Sequence, residues 1–314
     1  MPSTTSKQAR SRSWLVALSF LVLSAGGLPA LQPPPALPTG VPTKDAVEGA
    51  TIVLGGGEDG PAPAPAAGRL GDRALVLCWH SFLGDPSLET DFSLGELKAQ
   101  LASLSALGYR FVDLDDAMAG RITGSLNLVA TIDDGHRTVP KAVEEAFLPL
   151  GIKPALFVYP AIIGSVPYAM ADAELRRLGS EGCRIGAHGY HHLFVTEALF
   201  RSDRAEFDKE IYKAKTKTEG LSGLPVLFYA YPFGAYSPVT TREVEKAGYS
   251  FAFAVRPGFI YADPALNLDF EIPRVVLRRD NWDEVYAFLK RNAEGARELE
   301  AQLLTGRLGG MARK

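Results

Sequence analysis

At residues 126–135 the chain reads LNLVATIDDG, an apolar run with β-branched residues that ends in two adjacent carboxylates and a glycine. Such a run marks a strand buried on both faces, as in a parallel sheet whose two sides are covered by helices. Its end is the stronger constraint. Two carboxylates in contact raise one another's pKa unless a cation or a proton is supplied. Asp133 and Asp134 therefore ask for a metal ion or for a division of labour, unless the segment is simply an Asp-Asp-Gly cap and turn.

The rest of the chain repeats one scheme. Apolar runs of strand length occur at 74–79, 109–112, 126–132, 155–159, 183–187, 226–230, 251–255 and 275–277. Helical patterns fall between them. Ser93 and Glu96 form a capping box before a helix that Gly108 stops, and further helices are expected at 140–150, 172–178, 203–219, 237–248 and from 281 onward. About eight strands alternating with helices predict an α/β fold closed as a (β/α) barrel, although an open doubly wound sheet shares the pattern. A barrel places its working residues at the C-terminal ends of strands. His80, Asp133, Asp134, Tyr159, His188 to His192, Tyr231 and Pro232 all stand there.

With 314 residues, 46% hydrophobic and 22% charged, the chain is large enough for one sizeable core. A net charge of -3 without long single-sign runs gives no argument for nucleic acid or anionic lipid as partner, and no nucleic acid is expected. Cys78 and Cys183 lie in apolar strand-like segments and read as buried free thiols, a single disulfide being the alternative. Lys7, Arg10 and Arg12 precede an apolar run at 14–23 and the small residues SAGGLPA, the layout of a signal peptide. The expected organisation is a signal peptide, or an N-terminal anchor, at 1–30, a Pro/Ala/Gly-rich linker at 31–70, a catalytic domain at 71–290 and a helical tail at 291–314. This layout predicts an exported protein, periplasmic, bound to the cell envelope or secreted, touching a membrane only through an uncleaved N-terminal segment.

A second motif, GAHGYHH, sharpens the reading of the acids. His188 and His192 are four residues apart just beyond a strand end, so a helical turn or tight loop directs both rings one way. With Asp134 they make two histidines and a carboxylate, a facial set for a divalent cation with open positions. His191 competes with His192 for the role, and a surface histidine cluster is the plainer alternative. His136 reads as a solvent-side loop residue. A cation there would acidify water, and Asp133, free of ligation, would be placed to take its proton. That chemistry suits hydrolysis of an amide or ester.

The ordered segments LCWHSF, TIDDGH, ALFVYP, IGAHGYHH and FYAYPFGAYS resemble the polysaccharide deacetylases, the NodB homology domain of carbohydrate esterase family 4, over about residues 75–289. The YPFG form and the early strand-histidine segment are most similar to the branch that de-N-acetylates poly-N-acetylglucosamine. The resemblance implies a distorted (β/α) barrel of the NodB type. It also implies zinc, with cobalt or nickel as alternatives, on Asp134, His188 and His192, Asp133 as general base, and an acetylated polysaccharide as substrate. Tyr231, Pro232, Phe233 and Gly234 would line the groove, contributing a backbone N–H at the oxyanion and an aromatic face to the sugar. Three departures stand out. Gly189 replaces the Ser or Thr that usually follows the first metal histidine and ties down its loop, which predicts a looser metal site. The arginine usual beside the YPFG motif is absent, leaving Arg274 as candidate orienter of the base. No histidine follows His192, leaving His80 as candidate general acid. For Tyr159, Trp79 and Trp282 core packing is the preferred reading.

Overall fold

The computed structural model describes residues 71–304, so the expected signal peptide or anchor, the linker and the end of the tail lie outside the described residues. Seven parallel strands close a barrel. They are β1 (Arg73–Trp79), β3 (Asn127–Asp134), β4 (Ala155–Val158), β5 (Ile185–Ala187), β6 (Phe228–Ala230), β7 (Phe251–Val255) and β9 (Ile272–Val276). Closure comes from β1, which pairs with β9 on one side and with β3 on the other, from Ala74 opposite Asn127 to Trp79 opposite Ile132. That double pairing excludes the open sheet. β2 (Arg110–Phe111) adds a parallel edge to β3, and β8 (Ile260–Tyr261), too short to show in the sequence pattern, runs antiparallel on β1.

The period of two sorts each apolar run into an inner and an outer set. Ala74, Val76, Val129, Phe157, Phe253 and Ile272 form the interior cluster, joined by Leu114, Ala117 and Met118 of α2 (Leu114–Met118). Leu75, Leu77, Trp79, Leu128, Ala130 and Ile132 face the helical layer instead. Trp79 packs edge-on against Phe147 with ring centroids 5.7 Å apart, and its indole N–H donates to Gln100 Oε1 at 3.0 Å. The interior parity continues upward through polar residues: Thr131 and Asp133 follow Val129, and Arg274 follows Ile272, all of them buried. The barrel thus turns from an apolar core into a charged one toward its C-terminal end.

α1 (Leu94–Ala106) has both halves of its capping box and buries Leu97, Leu101 and Leu104. The helix expected at 140–150 is broken into α3 (Val139–Ala142), a π turn at Val143–Phe147 and a 3-10 turn at Leu148–Leu150. Pro149 lacks the N–H that would bond back to Glu145, so the α ladder fails there. Beyond α4 (Asp172–Ser180) and an unanticipated α5 (Glu197–Ser202), the expected long helix is also interrupted. A π turn at Lys209–Lys213 separates α6 (Arg204–Asp208) from α7 (Ala214–Ser222). α8 (Pro238–Lys246) starts at the Ser237 cap. The last helix, α9 (Trp282–Leu304), is continuous and buries Leu289 and Ala293, so the boundary expected at 290/291 falls inside one packed element. Both cysteines are free and buried. Among the described residues no helix is long and apolar enough to cross a membrane.

Candidate active site

Strict alternation would point Asp134 into the helical layer, opposite to Asp133. It does not go there, because its backbone turns left-handed with φ 73°. Among the described residues only two other non-glycine positions have positive φ, His192 at 64° and Phe233 at 59°. All three lie at the C-terminal mouth of the barrel. Left-handed backbone costs a side-chain-bearing residue energy, least for Asp and most for bulky rings, and such strain persists where the surroundings hold it.

The turns bring three ligand-type atoms together. His188 Nε2 and His192 Nε2 are 3.1 Å apart, and Asp134 Oδ1 is 3.7 Å from the first and 3.5 Å from the second. Ligand bonds of about 2.05 Å to a tetrahedral zinc put neighbouring donor atoms about 3.4 Å apart, so the triangle has the right size. Its polar state agrees: Asp134 Oδ1 is buried and has no hydrogen-bond partner. His188 Nδ1 lies 2.8 Å from the Ala230 carbonyl, which can only accept, so Nδ1 donates that bond and Nε2 is the nitrogen turned toward His192 and Asp134. Burial, and next the neighbouring His188, push His192 down to about 4, so its ring is neutral near pH 7, the form that ligates. These residues fit a divalent ion. His191 instead turns its Nδ1 to Glu206, with its side chain 41% exposed. His136 is half-buried, its Nδ1 2.8 Å from Thr138 Oγ1.

Behind the triad lies a buried ion pair. Arg274 donates from Nη1 to Asp133 Oδ1 at 2.7 Å and from Nη2 to Oδ2 at 2.8 Å, the two residues being 1% and 2% exposed. Burial opposes the Asp133 charge, but the Arg274 guanidinium, then His188, outweigh it and hold the carboxyl well below the usual carboxylate range. The guanidinium is also 5.2 Å from the centre of the Phe157 ring. Asp133 Oδ2 is 3.4 Å from His188 Nε2. His80 also offers a ring nitrogen within 4.8 Å of an Asp133 oxygen, and its Nδ1 is buried without a partner. Cys78 belongs to the same group, but burial, followed by the Asp133 charge, pushes its thiol well up and keeps it protonated.

The loop after β5 is tied down more firmly than its glycine suggests. Glu210, fully buried, accepts from the backbone N–H groups of Tyr190 at 3.0 Å, His191 at 2.7 Å and Leu193 at 3.2 Å. Gly189 is what admits it: φ is 71°, and a Cβ there would stand 2.4 Å from Glu210 Oε2. The loop thus has a tie other than the Ser or Thr that Gly189 replaces. Sequence reasoning missed Glu210 because it sits in what reads as a solvent-facing polar helix. The π turn at 209–213 accompanies its inward placement, and such turns gather at functional sites.

The YPFG turn also needs correction. Tyr231 does not line the groove: its ring is buried, its hydroxyl donates to the Phe270 carbonyl at 3.0 Å, and its N–H donates to the Phe253 carbonyl at 3.0 Å. Pro232 is buried and has no N–H, and Gly234 donates to the Tyr231 carbonyl at 2.8 Å. That leaves Phe233 as the turn residue whose N–H meets no acceptor among the described residues. Its ring is exposed, stacks on Phe194 and meets His192 edge-on. Tyr159 packs against the core as expected, and its half-buried ring also stands 5.2 Å from that of His192. Phe194 gave no sequence signal beyond an isolated aromatic residue in a loop.

The parallel barrel agrees with the (β/α) fold that the motif resemblance implies. Residues 122–252 match the family model described as polysaccharide deacetylase. Its fold is similar to IcaB from Ammonifex degensii, at 26% identity with a TM-score of 0.60, covering 70% of this chain and 98% of that one. It is also similar to BC0361, a polysaccharide deacetylase from Bacillus cereus, at 21% identity and a TM-score of 0.57, covering 70% and 69% of the two chains. Among curated proteins, YxkH of Bacillus subtilis (strain 168) is 20% identical over 195 residues, 61% of this chain and 67% of that protein.

Proposed function

We propose that the protein is a metal-dependent hydrolase that removes N-acetyl groups from an N-acetylglucosamine-containing polysaccharide outside the cytoplasm, releasing acetate. The observation that carries this reading is the convergence of Asp134, His188 and His192 beside an Asp133 that stands outside that triad and is held ionised by Arg274. Zinc is the ion best matched to two imidazoles and one carboxylate, with cobalt or nickel as alternatives. When bound, it supplies Lewis-acid polarisation of the acetamide carbonyl and lowers the pKa of water.

The chain's own residues do the rest. Asp133, charged through the working pH range, accepts the proton of the attacking water. Arg274 fixes the plane of that carboxylate, so its free lone pairs face the mouth of the barrel. The Phe233 N–H is the turn's available donor for the oxygen that gains charge. His80, with a ring nitrogen within 4.8 Å of an Asp133 oxygen, returns a proton to the departing amine, completing the exchange of an amide for acetate and a free amine. The absent late histidine and Gly189 are the features that would suggest a silent relative. Against that reading stand the Glu210 clamp on the loop after His188 and a second histidine, His80, within 4.8 Å of Asp133.

The test is acetate release from N-acetylglucosamine oligomers by the metal-stripped protein, before and after zinc is returned. Release is expected only with zinc, and Asp133→Asn is expected to abolish turnover while retaining zinc, because it removes the base and no ligand. Turnover comparable to the parent in that variant would defeat the assignment.

A further inference from the structure

His136 reads from the sequence as a solvent-side loop residue, yet one edge of its ring is held in place. The chain is left-handed at Asp134, φ 73°, and again at Gly135, φ 84°, where a Cβ would stand 2.7 Å from Ile163 Cδ1. The turn that follows is pinned to the connection between β4 and α4. The Arg137 N–H donates to the Tyr168 carbonyl at 2.9 Å, and the Met170 N–H donates to the Gly135 carbonyl at 3.0 Å. On the ring, Nδ1 lies 3.2 Å from the Thr138 backbone nitrogen and 2.8 Å from Thr138 Oγ1. A backbone N–H can only donate, so Nδ1 accepts with its lone pair and the ring proton is on Nε2. Thr138 Oγ1 accepts in turn from the Phe82 N–H at 2.9 Å and gives its own proton to Nδ1. These bonds tie the turn after Asp134 to the loop that begins at His80. They end in an Nε2–H donor on a half-buried ring at the barrel mouth, and that donor has no partner among the described residues.

We propose that His136 is a specificity-determining residue, its Nε2–H donating a hydrogen bond to a neutral oxygen of the glycan. Binding sites hold their few orienting polar groups in this way, fixed by the protein and left unpaired until the ligand arrives. A donor without charge suits an uncharged polymer. The acceptor is a hydroxyl of the sugar whose acetamide lies at the triad, or the acetamide carbonyl of its neighbour. His136 moves no proton and ligates no metal in this role. The inference rests on the deacetylase reading and adds how the polymer is oriented.

Calorimetric titration of the zinc-loaded full chain carrying Asp133→Asn with an N-acetylglucosamine tetramer tests it, since binding is then read without turnover. Adding His136→Asn puts an amide oxygen where Nδ1 accepts and removes the Nε2 donor. Adding His136→Gln instead puts an amide N–H near Nε2 and removes the acceptor. His136→Asn is expected to weaken binding about fivefold or more, the scale of one lost hydrogen bond, whereas His136→Gln binds like the parent. Zinc affinity, read by chelator competition, is expected to be the same in all three. A ring that only braces the turn gives the opposite order, with Asn like the parent and Gln weak, and that result overturns the proposal. Equal binding in all three, zinc lost in parallel with the tetramer, or no tetramer binding by the parent overturns it as well. A glucosamine tetramer bearing one acetyl group separates the two oxygens. If the His136→Asn loss persists with it, the acceptor is a hydroxyl; if the loss is confined to the fully acetylated tetramer, the acceptor is the neighbouring carbonyl. Tetramer binding in the expected order, with no acetate released by the unsubstituted chain, would defeat the functional reading and leave the glycan contact standing.

Discussion

At the scale of single residues, the Asp133–Arg274 pair shows how burial and charge combine. A depressed folded-state pKa gives stability that is present above the unfolded value of about 3.9 and lost as pH falls through the lower folded value. Arg274→Met removes the cation and leaves a buried carboxylate whose pKa then rises with desolvation. The expected cost at pH 7 is about 3–5 kcal/mol, read by urea unfolding, and the acid limb of the kcat/KM profile is expected to move to higher pH. Metal retention separates the two candidate histidines. His192→Ala is expected to abolish stoichiometric zinc binding in equilibrium dialysis, while His191→Ala, whose ring points to Glu206, retains it; the reverse result would exchange their roles. Asp133, Asp134, His188 and His192 were legible because spacing and strand ends place them within short reach. Arg274 was legible only as a candidate, since 141 residues separate it from Asp133 and only barrel closure brings them together. Tyr231 misled because a motif shows which residue stands in a turn but not which of its N–H groups the neighbouring strand takes.

Elements carry a different kind of information. Strands announced themselves through apolar runs and helices through caps, yet both π turns were invisible, because one extra residue in a helical turn leaves composition and period almost unchanged. The turn at Lys209–Lys213 matters most, for it goes with Glu210 facing the metal loop rather than solvent. Three backbone donors converge on that carboxylate, and burial is the main reason its pKa lies above the ordinary value. Glu210→Gln keeps the shape but replaces one accepting oxygen by a donor that faces other N–H groups. Loss of such supporting hydrogen bonds usually costs a metal site about 10–100-fold in affinity, and that fall is expected for zinc by chelator competition. Wild-type zinc affinity in Glu210→Gln would show that the loop holds its shape without the clamp.

For the whole molecule, the barrel followed from the alternation of elements and from working residues aligned at strand ends, but the sequence pattern does not say where the domain stops. The helical pattern from 281 onward showed no break, and only packing decides which part of α9 belongs to the core. Asn292 settles it. Its side chain accepts from Arg73 Nη2 at 2.7 Å and donates to the Tyr109 hydroxyl at 2.8 Å, which itself donates to the Leu289 carbonyl at 3.1 Å. This chain of bonds joins β1, the start of β2 and α9, and Ala293 is buried beside it. A chain ending at Lys290 loses the Asn292 bonds, leaves Tyr109 and Arg73 short of partners inside the fold, and uncovers part of the helical layer. Two lost hydrogen bonds and the uncovered apolar surface add up to about 3 kcal/mol. For a domain of this size that is a fall of about 6–12 °C in Tm, measurable by calorimetry against the full chain. An unchanged Tm would mean that the helix beyond Lys290 is the separable tail the sequence suggested.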